Sequence, residues 1–366
     1  MWQQRNSGVP NLERQEAPAS PADWEAIRLF LEVARRGSFR GAADVLGISI
    51  NTLRRQIEEL EQQLKVKLLT RHVDGVRTTI EGEHILDAAK RMETASFGIV
   101  RARDQGQPAV AGEVKLAVTE GLGTFWVAPR LVEFQRAHPR LIVNLMCAMQ
   151  SADVLRLEAD VAIQLIKPTT PDIKVVKLGR LHSMPFAGQS YIDTYGTPKT
   201  MQDMVKHRMV LQIAEQTKTR KLFDDVFAGI PWEGFVSMIN NTSTAHSWAI
   251  AKGAGIGWVP TYIHAIGGRF VPLELNAHFP FDIWLTYHPD AGRIPRVRCM
   301  IEWIIDAFDP RKFPWFRDEF IHPNELAKLY GGDPLVNLFE GFVHAGEAPA
   351  LPADRQRLRP TGSTRS

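Results

Sequence analysis

Cysteine is almost absent: only Cys147 and Cys299 occur, far apart in the chain. Two such residues cannot by themselves build a disulfide framework or a zinc site. Long apolar runs are missing too, as is a basic-then-apolar leader, so a cytoplasmic protein without a membrane partner is expected. The 11 histidines are scattered, with no HExxH pair and no cysteine neighbours, so no metal is expected. No Ser-His-Asp order surrounds a nucleophile elbow, so neither a catalytic residue nor an enzyme is expected. The glycine-rich stretch 252–257 has the wrong spacing for a dinucleotide fingerprint and runs into Pro260, which makes it a structural turn and leaves no cofactor expected. Charge of one sign is also scarce. A net charge of +3 is too small for general coating of a polyanion, so any such affinity must come from a local patch.

What is present is a globular composition, 44% hydrophobic and 23% charged, over 366 residues, enough chain for two or three domains. The sharpest pattern lies in 24–64. Ile27, Phe30, Leu31 and Ala34 recur at helical spacing. Gly37 stops that helix, and Ser38 can cap a second whose Ala42 and Ala43 allow close packing. Gly47 supplies the left-handed residue of a sharp turn. Ser49 caps a third helix with Leu53, Ile57, Leu60 and Leu64 on its inner stripe. Asn51, Arg54, Arg55 and Glu58 lie opposite, with Ile50 at the exposed first turn. A helix with a dry back and an amide and guanidinium groups in front suits a major groove. Periodicity alone fits a plain three-helix bundle with a solvated face equally well.

The text FLEVARRGSFRGAADVLGISINTLRRQIEELEQQLKVKLLTR, followed by GVRTTIEGE, resembles the N-terminal domain of the LysR-type transcriptional regulators, including its wing and the return into a long helix. The wing is expected at 73–79, turning at Asp74-Gly75, with Arg71 and Arg77 placed for phosphates on either side of a groove. Ser49, Ile50, Asn51, Arg54, Arg55, Arg71 and Arg77 form the expected DNA-binding set. Within it Ile50 suits a thymine methyl, Asn51 an adenine, and Arg54 or Arg55 a guanine or phosphate. The resemblance implies double-stranded promoter DNA as partner, self-association as a dimer or tetramer, and RNA polymerase as a further candidate partner.

The rest of the chain divides by texture. Residues 1–22 are polar and aperiodic, an expected disordered extension before a DNA-binding domain at 23–80. A linker helix is expected at 81–104, with Ile85, Ala88, Met92, Ala95 and Ile99 as a coiled-coil seam. After turn formers around Pro108, strands and helices alternate, which argues for an α/β domain with a parallel sheet. Strands are expected at 114–118, 141–147 and 160–165, near Val175, Pro185, Val210 and Val236, and at 256–259 and 283–287. Helices are expected at 124–138, near Met201, Lys221 and Ala245, and at 297–308. The stretches GEVKLAVTEGLGTFWVAPRLVEFQRAHPRLIVNL, EADVAI, SYIDTYGTP and AIAKGAGIGWVP resemble the LysR-type effector-binding domain. That resemblance implies a two-lobed, periplasmic-binding-protein-like fold at 112–308, with lobe one at 112–165 and 279–308 and lobe two at 166–278. The short segment between Gln150 and Asp160 departs from it and leaves room for about one helical turn.

In such sheets ligands bind beyond the carboxyl ends of strands, where helix starts offer free backbone donors. Thr119, Thr124, Gln150, Ser151, Asn241 and Ser243 fall at those places and form the expected effector-binding set, for a small molecule with an organic acid as the expected class. Helix capping accounts for Ser, Thr and Asn there equally well. Glu120 stands out, since it would repel an anion unless it meets an amine or stays in solvent. Family members usually end near Asp309, which makes 309–366 an addition. Phe313, Trp315, Phe316 and Phe320 form an aromatic cluster in it that should be covered. Asn324 is expected to cap a helix, Leu335, Leu338, Phe339 and Phe342 to share a helical face, and the stretch with Arg355, Arg357, Arg359 and Pro360 to be a tail. Two rival classes remain: a two-lobed solute-binding protein or enzyme with an accessory helical domain, and a DNA-architectural protein without an effector.

Overall fold

The computed structural model describes residues 23–105, 110–214, 216–217, 219–264 and 270–330. The expected N-terminal extension, Pro108, Leu335, Leu338, Phe339, Phe342 and the arginine-containing tail lie outside the described residues. The contacts divide the chain into two compact units between Ile99 and Val100.

The first unit begins with α1 (Trp24–Arg36), α2 (Phe39–Leu46) and α3 (Ile50–Leu64). Each start is capped as the residue types require: the Asp23, Ser38 and Ser49 side chains accept from the backbone N–H of Glu25, Gly41 and Thr52. Gly47, at φ 67°, makes the left-handed turn into α3. Phe30, Leu31, Ala42, Ala43, Leu53, Ile57 and Leu60 are buried together in one core. The wing follows as β1 (Leu69–His72) and β2 (Gly75–Thr78), an antiparallel pair. Three bonds fix it to the helices. Glu61 of α3 accepts from the backbone N–H of Leu68 and Leu69 at 2.8 and 3.2 Å, and the Val76 N–H donates to the Gly37 carbonyl at 2.7 Å. Next comes α4 (Ile80–Gln105). Two expectations change here. Ile50 is half-buried against the unit's core, and Ile85 packs there too, because Leu86 and Ala89 turn the same face of α4 inward. Met92, Ala95 and Ile99 remain exposed, with Ile99 at 74%.

The second unit holds β3 (Gly112–Thr119), α5 (Glu120–Leu122), a π turn (Gly123–Val127), α6 (Ala128–Ala137), β4 (Leu141–Ala148), β5 (Val161–Gln164) and β6 (Lys174–Gly188). It continues through α7 (Gln189–Tyr195), β7 (Met209–Gln212), α8 (Thr219–Val226), β8 (Val236–Asn240), α9 (Ser243–Ala251), β9 (Gly257–Pro260) and β10 (Phe270–Pro272). The last elements are β11 (Phe279–Tyr287), α10 (Pro295–Ala307) and α11 (Pro323–Leu329). One sheet runs β10-β6-β11-β5-β3-β4, with β9 also on β6; β7 and β8 pair separately. The parallel β3, β4 and β5 form lobe one. The long β6 and antiparallel β11 pass between the lobes, and the far half of β6 pairs β9 and β10 in lobe two.

Several elements differ from their sequence reading. The strands expected near Val175 and Pro185 are one strand, because Pro185 sits where β6 pairs Trp258 and needs no break. The helical segment expected at 124–138 starts at Glu120 through the π turn. Residues 154–157 form turns rather than a helix, with Leu157 at φ 58°. His322 rather than Asn324 caps α11, its side chain accepting from the Asn324 N–H at 3.3 Å.

The C-terminal addition packs on its own unit. Trp126 is fully buried, donates to the Ala307 carbonyl at 3.0 Å, and meets Phe313, Trp315 and Phe316 edge-on at 4.9, 5.4 and 5.2 Å. The Arg130 guanidinium stacks over Trp126 and Phe313 at 4.7 and 4.4 Å. Beyond this cluster the segment crosses the back of the two interlobe strands. Gly179 lets the Phe316 backbone approach closely, since a Cβ there would lie 2.6 Å from its carbonyl oxygen. Lys177 pairs with Asp318 at 2.6 Å, and Phe320 stacks on His278 at 4.5 Å.

Candidate functional site

Two regions present chemistry. In the first unit, Asn51 and Arg55 stand exposed on the outer face of α3; Arg55 pairs with Glu59 at 3.8 Å. Arg54 is turned back, its guanidinium 5.6 Å from the Phe39 ring and its Nε buried without a hydrogen-bond partner among the described residues. Ser49 spends its hydroxyl on the cap and on Thr52. Arg71 and Arg77 are exposed on the wing, Arg77 paired with Asp74 at 2.6 Å. The expected DNA-reading set is therefore not uniform: Asn51, Arg55, Arg71 and Arg77 face outward, while Ile50 and Arg54 pack on the domain.

In the second unit a cavity of about 460 Å³ opens between the lobes. Thr119 and Ser243 line it; Thr124, Gln150, Ser151 and Asn241 do not. Gln150, Ser151 and Asn241 are exposed, and the Thr124 hydroxyl points to Glu120 at 3.4 Å. For Thr124 the physical reason is Glu120 itself. Its carboxylate accepts from the backbone N–H of Ser243 at 2.6 Å and of Thr244 at 3.2 Å, and from the Thr244 hydroxyl. A side chain from lobe one thus caps α9 of lobe two, and its charge is met by a helix start. Gly121 permits the approach: a Cβ there would lie 2.8 Å from Ser243. The walls, which include Phe223, Phe227, Met209 and Leu211, were not singled out by the sequence reading.

His246 forms part of the wall and is buried. Its Nε2 faces the Trp258 carbonyl at 3.2 Å, and burial lowers its pKa to about 4. Because the folded pKa lies below the unfolded one, the unfolded chain takes up more protons between about pH 6.5 and 4. Stability is therefore expected to fall as pH drops through that window, with a slope approaching about 1.4 kcal/mol per pH unit. Urea unfolding at pH 7 and pH 5 checks this against His246→Gln; equal pH dependence in both chains would reject it.

Among the described residues no helix is long and apolar enough to cross a membrane. No cluster of His, Cys, Asp and Glu among them could hold a metal ion. A winged helix-turn-helix joined in one chain to a two-lobed α/β unit with an interlobe cavity has the parts of a ligand-responsive DNA-binding protein. The profile described as "Bacterial regulatory helix-turn-helix protein, lysR family" matches residues 24–83, and that described as "LysR substrate binding domain" matches 107–309. The chain belongs to the LysR family of transcriptional regulators, with a DNA-binding helix-turn-helix and an effector-binding domain.

It is 29% identical over 244 residues to an HTH-type transcriptional regulator of Xanthomonas campestris pv. campestris (strain 8004), covering 64% of this chain and 69% of that one. It is 25% identical over 289 residues to the HTH-type transcriptional regulator DmlR of Escherichia coli (strain K12), covering 77% and 93%. Among solved structures it is similar to AphB, the Vibrio cholerae virulence activator, at 18% identity and a TM-score of 0.47, covering 78% of this chain and 99% of that one.

Proposed function

We propose that this regulator reads promoter DNA through the outer face of α3 and the wing, as a cytoplasmic dimer or tetramer, and that a small-molecule effector held between the lobes alters that reading. RNA polymerase belongs to the same proposal as a further partner, and catalysis does not. The proposed division of labour is DNA binding at 23–80, a linker helix at 81–104, effector binding at 112–308 and an added segment from 309 onward. The observation that carries the reading is the outward set Asn51, Arg55, Arg71 and Arg77, of which Asn51 and Arg55 lie on one helix and the other two on the wing beside it. An amide and a guanidinium on one helix face can meet base edges, while wing arginines meet phosphates. A ligand between two lobes shifts an equilibrium only by its differential affinity for their closed arrangement, and that closure is the two-state element proposed here.

Asn51→Ala and Arg55→Ala are each expected to weaken a defined operator by about 1–3 kcal/mol and to relax one base position. Arg54→Ala is expected to act mainly on the stability of the unit. Operator titrations beside random DNA check this. Should both Asn51→Ala and Arg55→Ala bind as the parent does, α3 is not the reading helix.

A further inference from the structure

We propose that the interlobe cavity takes an uncharged, largely apolar molecule of about single-ring size bearing one hydrogen-bond-accepting oxygen, such as an ester or ketone, and excludes organic acid anions. The inference rests on the effector reading above and specifies its ligand.

The anion-binding feature of the cleft is already occupied. A helix start attracts a carboxylate through its free N–H groups, but at α9 the Ser243 and Thr244 N–H groups donate to Glu120 and the Ala245 N–H to Thr242. None of the described residues lining the cavity is Asp, Glu, Lys or Arg. The other helix start at the cavity, at Thr119–Gly121, has no side-chain cap, but Glu120 places its own carboxylate beside it. A buried anion would thus meet a like charge and no Lys or Arg, and desolvation would oppose it. Two histidines line the cavity: burial holds His246 neutral near neutral pH, and His278 is exposed and stacked on Phe320. The walls are instead Phe125, Leu181, Met209, Leu211, Phe223 and Phe227.

Two lining side chains ask for an acceptor. The Tyr262 hydroxyl and the Trp258 indole N–H are buried with no hydrogen-bond partner among the described residues. Tyr262 is 1% exposed, and burial pushes its phenol well above the usual range, so it keeps its proton and can donate. Buried polar groups are rarely left unpaired, and a ligand carbonyl or ester oxygen would pair one or both.

The test uses the full chain and three congeners of similar size: methyl phenylacetate, phenylacetate and phenethylamine. Binding is followed by calorimetry in the parent, Tyr262→Phe, Val226→Trp and Glu120→Ala. Val226 lines the cavity and is 45% exposed, so its replacement by Trp obstructs the opening with little demand on the core. The expected result is that the ester binds at least tenfold tighter than either charged congener, loses about tenfold in Tyr262→Phe, and is lost in Val226→Trp. Glu120→Ala vacates the α9 start, so phenylacetate should gain affinity there. If a charged congener binds within tenfold of the ester and is blocked by Val226→Trp, the ligand class is overturned while the cavity stands as the effector site. If the ester binds undiminished in Val226→Trp, the effector reading of the cavity itself fails. Absence of ester binding at millimolar concentration overturns the proposal, as does an unchanged Tyr262→Phe.

Discussion

Ending the chain after Pro310 is expected to unfold or aggregate the second unit rather than to trim it. The removed segment includes Phe313, Trp315 and Phe316, all at most 5% exposed and all arranged around Trp126. Truncating one buried aromatic typically costs about 3–5 kcal/mol. Three such losses are comparable with the whole stability of a domain, about 5–15 kcal/mol. Fully buried Phe308 and Tyr262 would also be uncovered, since both pack against Phe316. Thermal unfolding and sedimentation of the truncated chain check this. A soluble product with the parent's midpoint would mean that the cluster adds nothing. A single Trp315→Ala chain gives a graded version, expected to lose about 3–5 kcal/mol.

The second large effect is expected at α4. Met92 and Ile99 are 40% and 74% exposed on a helix whose other face is packed. They share one stripe with Ala88 and Ala95, and two copies paired along it would form a coiled-coil seam. Glutamate at both positions would bury unpaired charge and is expected to break the pair. Two linked reading heads bind a two-half-site operator about 10²–10⁴-fold better than one, so operator affinity should fall by that order. Ile85→Glu is expected to act differently, destabilising the first unit, because that side chain already belongs to its core. Sedimentation at low micromolar concentration and operator titration measure both. If the Met92→Glu/Ile99→Glu chain stays dimeric with parental affinity, another surface joins the copies.

The contrast between Ile85 and Met92 shows what sequence reading can and cannot reach. Caps and turns such as Ser38, Ser49 and Gly47 are local, so residue type and spacing sufficed for three helices and their order. The two lobes were legible through family resemblance. A heptad pattern does not say which apolar residues of α4 turn toward their own unit, and Ile85 was lost there. Glu120 is the clearest case. Its partners are more than a hundred residues away, at Ser243 and Thr244. Nothing near it in the chain shows that a backbone helix start, rather than solvent or an amine, takes its charge. The cavity walls were missed for the same reason, since an apolar residue facing a void has the same sequence signature as one facing a neighbour.

The wing's attachment has a consequence for the operator. Its base is held by Glu61 of α3 and its second strand by the Gly37 carbonyl at the α1–α2 corner. On the proposed reading, wing and α3 would therefore meet DNA as one rigid stamp, with little freedom to adjust to groove width. Whatever mismatch exists between that stamp and straight B-form DNA has to be absorbed by the duplex. Base steps that no side chain touches then enter the binding energy through how readily they bend or narrow. Selection on such promoters would act on the flexibility of the spacer between half-sites as well as on the bases that are read.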